Sequence, residues 1–267
     1  MSSVLNNPME ILKLLDKSNC RECGEKTCLA FAGAVCRGWR NLDECPRLDS
    51  KVVERVTGEI QDVQDARENR QGALEGLKKR VVQIDLSSTA ERIGGHFSNG
   101  KLTVKMLGKA FSVDTAGNLY SQIHINPWVA APFLDYVIRG KGIDPTGNWV
   151  SFRELDGGRA QYALFQKRCE EPMKRVADGS VELFDDMVHV FDGKKVERQF
   201  QSDVSVVLHF LPKVPVMACY WSPEDGMAST LNVFFDETAD QNISIGSIFS
   251  LGAGFAQMIQ KVALRHM

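Results

Sequence analysis

Four cysteines close to the amino end, in NCRECGEKTCLAFAGAVCRGWRNLDECPRL, follow the spacing Cys-x2-Cys-x4-Cys-x16-Cys and end in Cys-Pro. This pattern constrains the whole segment, because the chain must double back before Cys45 can meet Cys20, Cys23 and Cys28. A tight Cys20-x2-Cys23 corner, a nearby Cys28 and a distant Cys45 supply thiolates from several directions, as a [4Fe–4S] cube requires. Residues from Cys28 to Val35 read as the start of a compact helix. Cys36 then lies eight residues past Cys28, roughly 12 Å along the axis and too far to share one cube. Gly38 and Asn41 let the chain turn, and Pro46 fixes the exit direction from Cys45. The expected metal ligands are therefore Cys20, Cys23, Cys28 and Cys45. Gly24, just after the corner, is expected to shape the cofactor loop: a residue without a side chain gives sulfide and backbone room, and amides can bond sulfur.

Structural zinc is the first competitor, but zinc sites built from four thiolates usually show two short Cys-x2-Cys knuckles, and this sequence has one. Disulfides are disfavoured because MSSVLNNPMEILKLLDK lacks a basic n-region, a long apolar core and a cleavage site, so reduced thiols and a cytoplasmic location are expected. No run approaches the ~18 apolar residues of a membrane span, and VPVMACYW is far too short. Membrane insertion is not expected. With 32 basic and 34 acidic residues the formal charge is −2, which gives no general attraction to nucleic acid or an anionic membrane. The Lys78-Lys79-Arg80 run reads as a solvated face.

The segment from about Pro8 to Leu48 carries Asn19-Cys20-x2-Cys23-Gly24-x3-Cys28-x2-Phe31-Ala32 and Cys45-Pro46. It resembles the amino-terminal [4Fe–4S] domain of corrinoid iron–sulfur protein large subunits and of the related acetyl-CoA decarbonylase/synthase gamma subunits. A similar domain occurs in the B subunit of Rnf-type electron-transport complexes. The resemblance implies one-electron transfer at low potential, in anaerobic metabolism, with a redox partner protein. The corrinoid proteins continue into a large barrel, for which this sequence is too short and differently patterned.

With 267 residues and 43% hydrophobic content, the chain has room for a small cluster module plus one larger domain. The expected organisation is a cluster-binding module at 1–48, a charged helical linker at 49–76 and an α+β domain at 77–267. Pro8 to Lys17 reads as a helix with Ile11, Leu14 and Leu15 on one face, over the cluster loop. In the linker, Val52, Val53, Val56, Ile60 and Val63 have helical spacing. Beyond it, strand-like and helix-like runs alternate without a regular βαβ rhythm, so the fold class is α+β: a mostly antiparallel sheet covered by helices. Strands are expected at Val81–Ile84, Trp149–Leu155 and Leu231–Phe235. Hairpins are expected across Gly108-Lys109 and across Pro212–Pro215. Helices are expected at Ser88–Ile93, Pro127–Arg139, Arg159–Cys169, Val181–Phe191 and Ser247–Ala263.

Asp144 to Leu155, Pro212 to Trp221 and Val233-Phe234-Phe235-Asp236 are similar to an uncharacterised domain-of-unknown-function family (3786), over most of Val81–Val262. That resemblance implies no activity. Gly95-x4-Gly100-Lys101 copies part of a phosphate-binding loop, but Leu102 replaces the hydroxyl residue and the lysine enters a strand. Gly252-Ala253-Gly254 reads as a helix-packing surface. Cys169 and Cys219 read as buried inert thiols, and His124 and His209, in strand-like runs, as core histidines without metal-spaced partners. The loop from Lys141 to Trp149 is the one polar constellation of this domain that invites a cofactor role, through the carboxamide of Asn148 and the ring of Trp149. No catalytic residues can be named. The reading that leads is an iron–sulfur redox protein. A domain acting on a corrinoid or other tetrapyrrole, or a cluster-based sensor using the spare Cys36, stays open beside it.

Overall fold

Asn7 starts the first helix by accepting a 2.9 Å hydrogen bond from Met9 N, and Pro8 takes the first helical position, where its missing N–H costs nothing. The computed structural model describes residues 7–37, 39–53, 71–180, 182–224 and 226–266. It divides into two compact units, Met1–Gly72 and Ala73–Met267.

In the first unit, helix α1 (Pro8–Leu14) buries Ile11, and helix α2 (Cys28–Cys36) buries Phe31, Ala32 and Ala34. Thr27 caps α2 by accepting from Ala30 N at 3.1 Å. Ile11, Leu15, Phe31, Ala32 and Leu42 share one small core with the thiols of Cys28 and Cys45, and Leu14 packs on it half-buried. So few side chains make a core of the size that normally depends on a metal or a cross-link. Residues 50–53 are helical. The remaining linker positions read from the sequence, Val56, Ile60 and Val63, lie outside the described residues.

The second unit is α+β and holds two antiparallel sheets. The first is a meander of β1 (His96–Ser98), β2 (Lys101–Met106), β3 (Lys109–Asp114) and β4 (Leu119–Ser121), in that order. Leu102, Val104 and Met106 are buried on one face of β2, opposite Val113, Phe111 and Lys109 of β3. The second sheet has the order β5-β9-β8-β7-β6, formed by β5 (Trp149–Ser151), β6 (Lys194–Lys195), β7 (Val204–Leu211), β8 (Val214–Trp221) and β9 (Thr230–Asp236). Strand β8 is central and buried on both faces, which explains its unbroken apolar run. Helices α3 (Leu86–Arg92), α4 (Pro127–Arg139), α5 (Tyr162–Phe165), α6 (Glu171–Gly179), α7 (Glu182–His189), α8 (Ala239–Asn242) and α9 (Ile245–His266) complete the unit.

Two strand expectations are corrected. Residues 71–81 are helical and 82–84 form turns, so Val81–Ile84 is no strand. Leu74, Leu77 and Val81 recur at helical spacing against the core, and that period overrides the β-branched composition. Trp149–Leu155 stops being a strand at Ser151, where Glu154 accepts from Ser151 N at 2.8 Å and turns residues 152–154 into a short 3-10 helix. The helix from Arg159 passes through a π-helical stretch, Gln166–Glu170, before α6. Pro172, which has no N–H to donate back to the preceding turn, lies just beyond it.

The glycines of α9 serve close packing. A Cβ at Gly254 would lie 2.0 Å from the Trp128 ring, and one at Gly252 would lie 2.7 Å from Phe165. Alanine is the better helix former by about 1 kcal/mol, but overpacking a rigid ring costs about 1–3 kcal/mol. Gly254→Ala is therefore expected to lower the Tm measured by circular dichroism. An unchanged or raised Tm would contradict this packing.

Candidate metal centre

The loop carrying the first cysteines is bent by left-handed backbone. Lys17, Asn19 and Arg21 have φ of 60°, 52° and 65°, and Gly24 has φ of 82°. Three non-glycine residues in that region within five positions is a concentration of strain typical of functional loops. Asp16 steadies the entry, accepting from Ser18 N at 3.0 Å and Ser18 Oγ at 2.8 Å. Gly24 N donates to Arg21 O at 3.0 Å, which closes the Cys20–Cys23 corner.

Asn19 latches this loop to helix α2. Its Oδ1 accepts from Cys28 N at 2.8 Å, while its own N–H points at Cys28 Sγ, 3.4 Å away. Amide hydrogen bonds to cysteine sulfur are among the interactions that tune metal–thiolate centres.

The fourth cysteine arrives on a separate segment. A 3-10 helix at Leu42–Glu44 leads into Cys45, which is buried at 8% exposure. Two arginines either side of Cys45 reach acids flanking Cys23. Arg47 forks onto Glu22 at 2.6 and 3.1 Å, and Arg40 lies 3.7 Å from Glu25 while bonding Glu44 at 2.7 Å. Each pair is half-exposed and worth at most about 1 kcal/mol, yet together they fix which loop the Cys45 segment meets.

The electrostatics record which groups are neighbours. Burial pushes the Cys45 thiol up, and the charges of Cys23 and Cys20 push the same way, against a bond from the Arg47 backbone. Arg47 is raised first by Glu22 and then by Cys20, and Arg40 first by Glu44, with Cys23 adding to it. Among the described residues no three His, Cys, Asp or Glu side chains are already gathered as a metal site. A cubane takes its four thiolates at separate corners, and thiolates are the donor set it uses. Cys36 sits half-buried at the far end of α2.

Asn148 and Trp149 are engaged within the fold. Asn148 Nδ2 donates to Glu237 Oε1 at 2.8 Å, Asn148 O accepts from Glu237 N at 2.9 Å, and Trp149 is half-buried opposite Asp236 in β5. The loop around them is anchored by Gly147 N on Asp236 and by Gly142 N and Ile143 N on Asn242. Cys169 and Cys219 are buried, and burial pushes both thiols up. Neither histidine is a core residue: His124 lies in an exposed loop and not in a strand, and His209, on β7, has its side chain on the solvent-facing side, opposite to its buried neighbours Leu208 and Phe210.

An α+β fold preceded by a thiol-rich loop and helix defines a class of protein with an appended metal-binding segment. Residues 85–258 match the family described as Domain of unknown function (DUF3786), and the chain belongs to that family. Residues 15–47 match the family described as "Putative Fe-S cluster". The corrinoid/iron-sulfur protein large subunit of Moorella thermoacetica is 55% identical over 48 residues, covering 18% of this chain and 11% of that protein. Subunit gamma 1 of the acetyl-CoA decarbonylase/synthase complex of Methanosarcina thermophila is 43% identical over 92 residues, 34% of this chain and 17% of that one. The gamma subunit of Methanocaldococcus jannaschii is 30% identical over 76 residues, 26% of this chain and 16% of its own length. The chain thus spans less than a fifth of these relatives. No solved structure matches it. These matches support an iron–sulfur-related function for the amino-terminal segment.

One titratable group escaped the sequence. Glu170 ends the π-helical stretch at 4% exposure, its Oε1 accepts from Val233 N at 3.0 Å, and its Oε2 is buried without a partner. Burial pushes this carboxyl up to about 7, against the Val233 bond. The folded state therefore binds the proton more tightly than the unfolded chain, and stability falls as pH rises from about 4.5 through about 7. Glu170→Gln, which keeps an acceptor for Val233, is expected to flatten the pH dependence of Tm between pH 5 and 8. A variant that follows the parent curve would contradict the assignment.

Proposed function

We propose that this chain is an iron–sulfur redox protein in which Cys20, Cys23, Cys28 and Cys45 hold one low-potential [4Fe–4S] cluster. It passes single electrons to a docked partner protein or acceptor in the reducing cytoplasm of an anaerobe. The observation that carries this reading is the return of the Cys45 segment onto the Cys20–Cys23 loop, held by the Arg47–Glu22 fork. The Moorella thermoacetica match, high over a short stretch, points the same way.

The cluster supplies one-electron chemistry when bound. The chain's own groups do the rest. Asn19 N–H and the Arg47 backbone amide stabilise sulfur charge at Cys28 and Cys45. Arg40 and Arg47 set positive charge beside Cys23 and Cys20, which favours an added electron. Ile11, Leu15 and Phe31 limit water on one side, and Gly24 keeps the ligand loop free of a side chain. Asn148 and Trp149 do not enter this reading, since the polar atoms around them are spent on Glu237 and Asp236. No helix among the described residues is long and apolar enough to cross a membrane.

The ligand set is tested by serine substitution followed by iron analysis of anaerobically purified protein. Cys36→Ser is expected to leave iron per chain unchanged, while Cys45→Ser lowers it sharply. Equal loss from the two would contradict the assignment. The redox role is tested by mixing dithionite-reduced protein with a one-electron dye, which should reoxidise it; a reduced spectrum that persists would refute electron transfer.

A further inference from the structure

A cleft of about 590 Å³ opens where the two sheets of the second unit are joined. The joint is a hydrogen bond from Leu107 N, in the β2–β3 turn, to His209 O on β7 at 3.1 Å. The β7–β8 ladder shifts register between His209 and Leu211, and irregularities of this kind re-aim side chains beside binding sites. On the other wall Gly108, at φ of 74°, lets the turn close against Asp192, where a Cβ would lie 2.5 Å from the Asp192 Cβ.

The lining is rich in unused donors. His96, Lys105 and His209 all face the cleft, and among the described residues their side chains make no hydrogen bond or ion pair within the chain. Gln122 uses its Oε1 to accept from Ala110 N at 3.1 Å, which leaves its amino group free to donate. Asp192 is the one carboxylate in the lining. Burial first, and then the charge of Lys194, hold the His209 imidazole low, with Asp192 opposing them, so His209 is an uncharged donor at neutral pH. Lys105 and Asp192 balance in formal charge among the described lining residues, so it is the surplus of hydrogen-bond donors from Lys105, His96, His209 and Gln122 that suits oxygen acceptors, and the volume falls within the ~300–1,000 Å³ of small-molecule sites.

We propose that this cleft binds a small molecule bearing carboxylate or phosphate oxygens, with Lys105 as its charge partner and His96, His209 and Gln122 as hydrogen-bond donors. The cleft lies wholly inside residues 85–258, the part of the chain that defines the family. It gives that domain a ligand-binding role that does not depend on the cysteines.

Isothermal titration calorimetry of the full-length protein, with pyrophosphate as the phosphate probe and citrate as the carboxylate probe, tests this. Saturable binding of at least one probe is expected, and the probe that binds identifies the source of the oxygens. Lys105→Gln and His209→Gln should each weaken it by about tenfold or more, the effect of losing one hydrogen bond to a charged group. Both side chains are exposed, so Tm should not change, and Lys167→Gln, which removes an equal charge elsewhere, should leave affinity as it was. No saturable heat from either probe, or binding that survives both cleft substitutions, would overturn the proposal.

Discussion

Holding the Cys45 segment against the loop of Cys20 and Cys23 is the constraint on which the amino-terminal unit rests. Thiols share its small core with Ile11, Leu15, Phe31 and Leu42, so the positions that should be most apolar are partly occupied by groups that ionise. Burial pushes the Cys45 thiol up, so ionising it there without a partner is costly. Amides, two arginines and, in the proposed centre, iron answer that charge. Without a counter-charge the same segment has too little apolar surface to order so many residues.

The second unit obeys different physics. Its stability comes from an ordinary core, in which β8 is buried on both faces and the rings of Phe152 and Phe165 stack at 4.1 Å. Polar side chains are placed where loops must be pinned: Asn242 holds Gly142 and Ile143, and Asp135 holds Ser244 and Ser247 at the start of α9. Against that background of satisfied groups, the orphaned oxygen of Glu170 stands out as a departure from the rule that buried polar groups find partners.

How much of this could be read from the sequence follows from how local each signal is. The helices beginning at Pro8 and Cys28, the hairpin across Gly108-Lys109, and the helix Pro127–Arg139 are written in adjacent residues and were legible. The bends at Lys17, Asn19 and Arg21 were not, because a positive φ at a non-glycine residue leaves no mark in composition. Val81–Ile84 misled because β-branched residues sat at the end of a helical period. His96, Lys105, Asp192 and His209 come from four separate elements, and no spacing could have joined them. The cysteine spacing named the metal-site candidates, but the ion pairs from Arg40 and Arg47 that draw their segments together emerged only from the fold.

The most direct measurement is metal and sulfide analysis of the protein purified without oxygen, followed by electron paramagnetic resonance after reduction. The account predicts about four irons and four sulfides per chain and a reduced cubane signal. A single zinc with no iron or sulfide would mean that these thiolates serve a structural metal, and the redox reading would fall.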